Sequence, residues 1–126
     1  MKEYMLLIRN EVEHTSALSE EQHQAFLNKC MLYIDSLKRE GKLKAAQPLL
    51  SEGVIISRSQ GVWQDLLFNE TKEVIVGYYH ILADNLQEAV EIAQRNPEFE
   101  YRTTARIEVR PIKMKEQSTG YTYPNE

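Results

Sequence analysis

The chain has 126 residues, the size of one domain, and its 42% apolar and 27% charged content excludes a mainly disordered polypeptide. Fifteen Lys and Arg against nineteen Asp and Glu give a net charge of −4, which argues against an electrostatically driven nucleic-acid binder. The single Cys30 excludes an internal disulfide framework.

Residues 3–9 alternate as a strand, with Tyr4, Leu6 and Ile8 pointing one way and Met5, Leu7 and Arg9 the other. Both faces are largely apolar, which a strand with one solvated face does not show. The apolar run from Tyr4 to Ile8 is shorter than the roughly 7–15 residues of a secretory h-region. No segment approaches the roughly 20 apolar residues of a membrane span, so a cytoplasmic protein without a membrane partner is the default expectation. Residues 10–18 show no period and read as a loop. Ser19-Glu20-Glu21-Gln22 is a capping box that opens a helix. That helix carries Phe26, Cys30, Tyr33, Ile34 and Leu37 on one stripe, read as core, and ends at Gly41 behind Lys38 and Arg39.

Residues 43–50 and 54–59 read as two strands, with Ser51-Glu52-Gly53 as a hairpin turn between them. Residues 62–72 read as a loop holding Trp63, Asp65 and Phe68. The strongest strand pattern is 73–83, with Val74, Val76, Tyr78, His80 and Leu82 on one face and Ile75, Gly77, Tyr79 and Ile81 on the other. Asp84-Asn85-Leu86-Gln87 resembles a second capping pattern, for a helix that turns Leu86, Ala89, Val90 and Ala93 inward and stops before Pro97. Residues 98–104 connect to a last strand at 105–112, where Ile107 and Val109 oppose Arg106, Glu108 and Arg110. The polar tail, 113–126, is expected to be loosely held.

The order β-α-β-β-β-α-β predicts one α+β domain over residues 1–112, ferredoxin-like β-α-β-β-α-β with an extra hairpin strand. Two helices cover one face of such a sheet, and the other face still carries apolar side chains. A second copy packed sheet to sheet, a C2 homodimer, is the simplest cover.

Asp65-Leu66-Leu67-Phe68-Asn69-Glu70-Thr71-Lys72-Glu73 resembles the D-G-P-F-x-E-T-K-E signature of the DGPF branch of the YCII-related family. Tyr4-Met5-Leu6-Leu7-Ile8, Gly77-Tyr78-Tyr79, Gln87-Glu88-Ala89 before Pro97, and Ile107-Glu108-Val109-Arg110-Pro111 are similar to other family segments, over roughly residues 3–112. The resemblance implies a dimeric α+β barrel, in a fold group that includes isomerases, monooxygenases and a dehydrochlorinase. Leu66-Leu67 stands where the signature has Gly-Pro, whose restricted turn two leucines do not reproduce without strain. Members outside this branch carry a catalytic histidine on the first helix. Counting back from Gln47-Pro48 puts that position at Lys29 or Cys30, so the role is not carried over.

Several side chains suit chemistry. His80 has the intrinsic pKa of a general base but also fits a packed, hydrogen-bonded strand histidine. Asp65, Glu70 and Lys72 offer two carboxylates and an ammonium at a cleft mouth, or cap turns and pair across the loop. Trp63, Phe68 and Tyr78 can wall a planar ligand or cover the core. Arg9, Glu108 and Arg110 can bind a polar ligand, pair with one another, or serve a dimer interface. His14 and His23 read as solvated. Three scattered histidines make no metal site, and no glycine-rich phosphate loop or nucleophile motif implies a cofactor. Two functions remain: a dimer that binds a small organic ligand or a protein partner, or a small enzyme using acid–base side chains without metal or nucleotide.

Overall fold

The computed structural model describes residues 1–11, 18–67 and 72–124. It runs β1 (Lys2–Glu11), α1 (Glu20–Arg39), β2 (Leu43–Pro48), β3 (Val54–Ser59), β4 (Val62–Leu67), β5 (Glu73–Ala83), α2 (Leu86–Gln94), α3 (Glu98–Tyr101) and β6 (Arg106–Pro111). Four strands form an antiparallel sheet in the order β2-β5-β1-β6, and β3 and β4 form a separate antiparallel pair. Among the described residues no helix is long and apolar enough to cross a membrane.

Strand alternation decides what each face of the main sheet carries. Tyr4, Leu6 and Ile8 of β1 sit beside Ile81, Tyr79 and Gly77 of β5, and Leu6 and Ile8 sit beside Val109 and Ile107 of β6. Tyr33 and Leu37 of α1 and Ala89, Ile92 and Ala93 of α2 close one core over this face. Each fully buried Leu or Ile there contributes about 1.5–3 kcal/mol. On the opposite face Met5, Leu7, Tyr78, His80 and Leu82 are half-buried, and neither helix covers them.

The capping box at α1 forms as its sequence predicts. Gln22 N donates to Ser19 Oγ (3.1 Å) and Ser19 N donates to the Gln22 side chain (3.0 Å). At α2 the cap is Asn85, one residue later than Asp84, because Asn85 Oδ1 accepts from Glu88 N at 2.9 Å. The apolar stripe of α1 is core only in its C-terminal half. Tyr33 and Leu37 are buried, whereas Phe26, Cys30 and Ile34 are half-buried.

Four further expectations change. Residues 51–53 are not a hairpin turn, since β3 pairs with β4, from Val54 opposite Leu67 to Ser59 opposite Val62. The turn is Gln60-Gly61, both at positive φ (51° and 79°), the left-handed pair that a two-residue hairpin connection requires. Residues 62–67, expected as loop, are therefore strand. Second, Val76 is an extra residue in β5, because Ile8 faces Gly77 and Arg9 faces Ile75. A single-residue bulge reverses the faces beyond it, so Val74 joins Asn10 and Glu73 shares the face of Arg9. Third, the tail closes on itself through a bridge between Lys115 and Thr122 and a Gly120 N to Glu116 O bond. Residues 98–101, read as part of a connection, form the short helix α3.

Gly77 permits close approach of β2. A Cβ there would lie 3.1 Å from Gln47 O and 3.3 Å from Pro48 Cα. Gly77→Ala is expected to push β2 outward and cost about 1–3 kcal/mol in urea unfolding; unchanged stability would show that β2 yields freely.

Candidate functional site

The sequence leaves one half of α1 without a filled partner. Opposite Phe26, Leu27, Cys30 and Met31 the sheet presents Gly77 and Ala46, which have little or no side chain to fill the space. The result is a half-open, mostly apolar cavity of about 740 Å³ between α1, the end of β2 and the first half of β5. That lies within the roughly 300–1,000 Å³ typical of small-molecule sites.

One end of the cavity is polar. Asn10, 1% exposed, continues the inward phase of Tyr4, Leu6 and Ile8. Its side-chain oxygen accepts from Thr104 Oγ1 and Glu11 N, and its amide donates to Glu98 Oε1 at 3.4 Å. Asn96 Oδ1 accepts from Glu98 N (2.8 Å) and so holds the start of α3 in place. Burial pushes the Glu98 carboxyl above its ordinary value, and Arg102 and the Asn10 amide offset only part of this. Burial, aided by the Glu98 charge, also pushes the Cys30 thiol up to about 11. The Tyr79 phenol rises to about 12 for the same first reason. Its ring meets Tyr33 edge-on at 5.5 Å, and Tyr33 Oη donates to Ile92 O, which braces the cavity wall against the core.

The other face of the sheet carries a charge ladder. Arg9 and Arg106 are direct cross-strand partners, an arrangement of like charges that needs compensation. Glu73 supplies it, accepting from Arg9 Nε (2.6 Å) and from Arg106 Nε and Nη2 (2.8 and 2.9 Å). Hydrogen bonds from Arg106 and then Arg9 hold the Glu73 carboxyl below its usual range. Glu108 accepts from Arg9 Nη1 (2.9 Å) and lies 3.6 Å from Arg110 Nη1. Farther along, His80 Nε2 lies 2.7 Å from Glu3 Oε1, which Lys44 also reaches at 3.2 Å. Lys44 is itself an extra residue in β2, between the paired Leu43 and Ala45. Burial raises the Glu3 carboxyl, but the His80 and Lys44 bonds outweigh that and leave it lowered.

The structure thus brings Arg9, Glu108 and Arg110 together, as the alternation of β6 suggests, and adds Glu73 and Arg106. His80 stands apart from them with Glu3, and Tyr78, on the uncovered face, borders the cavity only beside Gly77. Trp63 and Asp65 lie exposed on β4, Trp63 under the Arg58 guanidinium at 5.2 Å. Lys72 is exposed, 3.9 Å from Glu11. Phe68, Glu70 and His14 lie outside the described residues. His23 is exposed and sits at the cavity rim. Among the described residues no group of three or more His, Cys, Asp and Glu is placed to hold a metal ion. Asn10 and Glu98 escape the sequence reading. A polar residue in the inward phase of an apolar strand was a signal for Asn10; Glu98, in an unpatterned connection, gave none.

These features define a mixed α+β domain with its helices on one face of an antiparallel sheet and an apolar cavity beneath the first of them. The YCII-related domain matches residues 2–113, and the chain belongs to that family. No curated protein matches the sequence.

Glu98 makes a pH-dependent contribution with a definite sign. Its folded pKa lies above the ordinary 4.5, so as pH rises the unfolded chain releases this proton first and stability falls. Glu98→Gln is expected to raise the melting temperature at pH 7, and the gain should vanish below about pH 4.5. An equal gain at both pH values would show that ionisation of Glu98 is not the cause.

Proposed function

We propose that the protein is a homodimer that binds a small, largely apolar organic ligand in the cavity between α1 and the sheet. The observation that carries this reading is the coincidence of an apolar cavity of about 740 Å³ with one polar end, at the buried Asn10 and the half-buried Glu98. Apolar walls supply affinity by area, and a few convergent polar groups supply orientation. An amide that can donate beside a carboxyl that can accept suits an uncharged head group that both donates and accepts, such as a carboxamide or phenol. Lys29 or Cys30, where the family resemblance puts a first-helix histidine, also supports this location, since Cys30 is on the cavity wall.

The strand order β2-β5-β1-β6, with both helices on one face, supports a ferredoxin-like unit. Met5, Leu7, Tyr78 and Leu82 on the uncovered face support pairing of two copies into a dimeric α+β barrel. The ladder of Arg9, Glu108 and Arg110, together with His80 and Asp65, belongs in this reading to surfaces that a second copy approaches. The stretch from Asp65 to Glu73 supports the DGPF branch. A second reading, an acid–base enzyme without metal or nucleotide, is favoured by one observation: a carboxyl, Glu98, lines the polar end of the cavity, and burial pushes it above its ordinary value, the direction that suits a general acid. Chemical change of a bound ligand that Glu98→Gln abolishes distinguishes it from binding alone.

Cys30, the chain's single cysteine, reports on the cavity directly. With its thiol pushed up to about 11, alkylation by iodoacetamide at pH 8 is expected to be about tenfold slower than for a free thiol. Saturating 2-naphthamide or 2-naphthol should slow it roughly tenfold further; a rate unchanged up to their solubility overturns the cavity as the ligand site. Sedimentation at micromolar concentration should show a dimer, and a stable monomer would overturn that half of the proposal.

A further inference from the structure

Among the described residues the β3–β4 hairpin pairs with no other strand. Every residue of both strands is exposed, and its apolar side chains are large. Register divides them: Val54, Ile56 and Arg58 share one face with Leu67, Asp65 and Trp63, while Ile55, Ser57 and Ser59 share the other with Leu66, Gln64 and Val62. Ile56 and Trp63 are 62% and 64% exposed. A two-stranded hairpin without a packed face is at best marginally stable in water. Bare apolar strands with two open edges are also an aggregation hazard unless a partner is always present.

We infer that this hairpin is an arm that seats its Val54, Ile56, Trp63 and Leu67 face on a second copy of the chain. The inference rests on the homodimer proposed above and names a part of its interface beyond the sheet. Two observations and one general requirement favour a second copy over another protein. From Val54 to Leu67 the only charges are Arg58 and Asp65, so the arm has no net charge with which to select a partner of opposite sign. The four apolar side chains expose on the order of 500 Å² per copy, so two arms bury about the 1,000 Å² total that a specific interface needs. A surface this apolar needs a partner made at the same time and in the same amount, and a copy of the chain meets that condition.

Trp63 is the chain's single tryptophan, so its fluorescence reads the arm alone. In the full-length dimer, Trp63 emission is expected to be blue-shifted, with quenching by acrylamide severalfold weaker than in denaturant. Both changes should reverse on dilution through the concentration at which sedimentation shows dissociation. Ile56→Lys, on the seated face, should weaken the dimer roughly tenfold or more and leave Trp63 solvent-like. Ser57→Lys, on the other face, should change neither, and far-ultraviolet circular dichroism checks that both variants fold. Should Ile56→Lys fail to fold, the quenching of the natural chain still decides. A dimer whose Trp63 is fully solvent-accessible overturns the arm and leaves the sheet-to-sheet dimer standing. A monomer with exposed Trp63 overturns both. A protected Trp63 in a monomer shows the hairpin folded on its own chain, and also overturns the arm.

Discussion

Val76 has no partner on β1, and much of the molecule follows from that one surplus residue. Its carbonyl accepts from Leu49 N on the β2 side (2.9 Å), so the backbone stays satisfied while the ladder to β1 slips by one. Beyond the slip, Glu73 stands on the face of Arg9 and Arg106, which would otherwise oppose each other uncompensated. The same slip turns Val74 toward Asn10 and the cavity. One bulge therefore serves the charge ladder on one face of the sheet and the apolar cavity on the other.

The cavity is a consequence of where bulk is missing. Tyr33 and Leu37 anchor the C-terminal half of α1 in the core. Its N-terminal half faces Gly77 and Ala46, and Gly77 must stay small because the β2 backbone crosses just above it. The same close approach that lets β2 pair with β5 thus leaves unfilled space under the helix. Asn10 ends the inward row of β1, and α3 brings Glu98 to it. Burial pushes the Glu98 carboxyl above its ordinary value, and with Asn10 it gives an apolar chamber a hydrogen-bonding end.

The two uncovered surfaces, the far face of the sheet and the β3–β4 hairpin, are those that the proposed dimer would cover. On the sheet the charged side chains are tied into pairs. Exposed pairs of this kind add little stability by themselves. Their positions along β1, β5 and β6 give an approaching surface a register to match. The hairpin differs, with few charges and large aliphatic groups.

What the sequence by itself determined was local or periodic. The strands at 2–11 and 73–83, the Ser19 capping box and the helix behind it, and the charged alternation of β6 are legible because alternation and caps involve only near neighbours in the chain. Apolar residues on both faces of β1 pointed to cover on both, of which the structure shows the helix side. The tertiary structure alone decided the rest. Nothing in residues 73–83 marks Val76 as surplus, because a bulge is defined by the strand opposite. The Gln60-Gly61 turn is local, but its partners Val54 and Leu67 meet only once the chain reverses. Cys30 looks like core in a helical stripe and becomes a cavity wall because Gly77 lies across from it. Glu98 acquires its raised pKa only from the burial that α3 and β1 impose together. Side-chain periodicity is a property of one segment; cavities, registers and shifted pKa values belong to pairs of segments, and only the folded chain brings those pairs together.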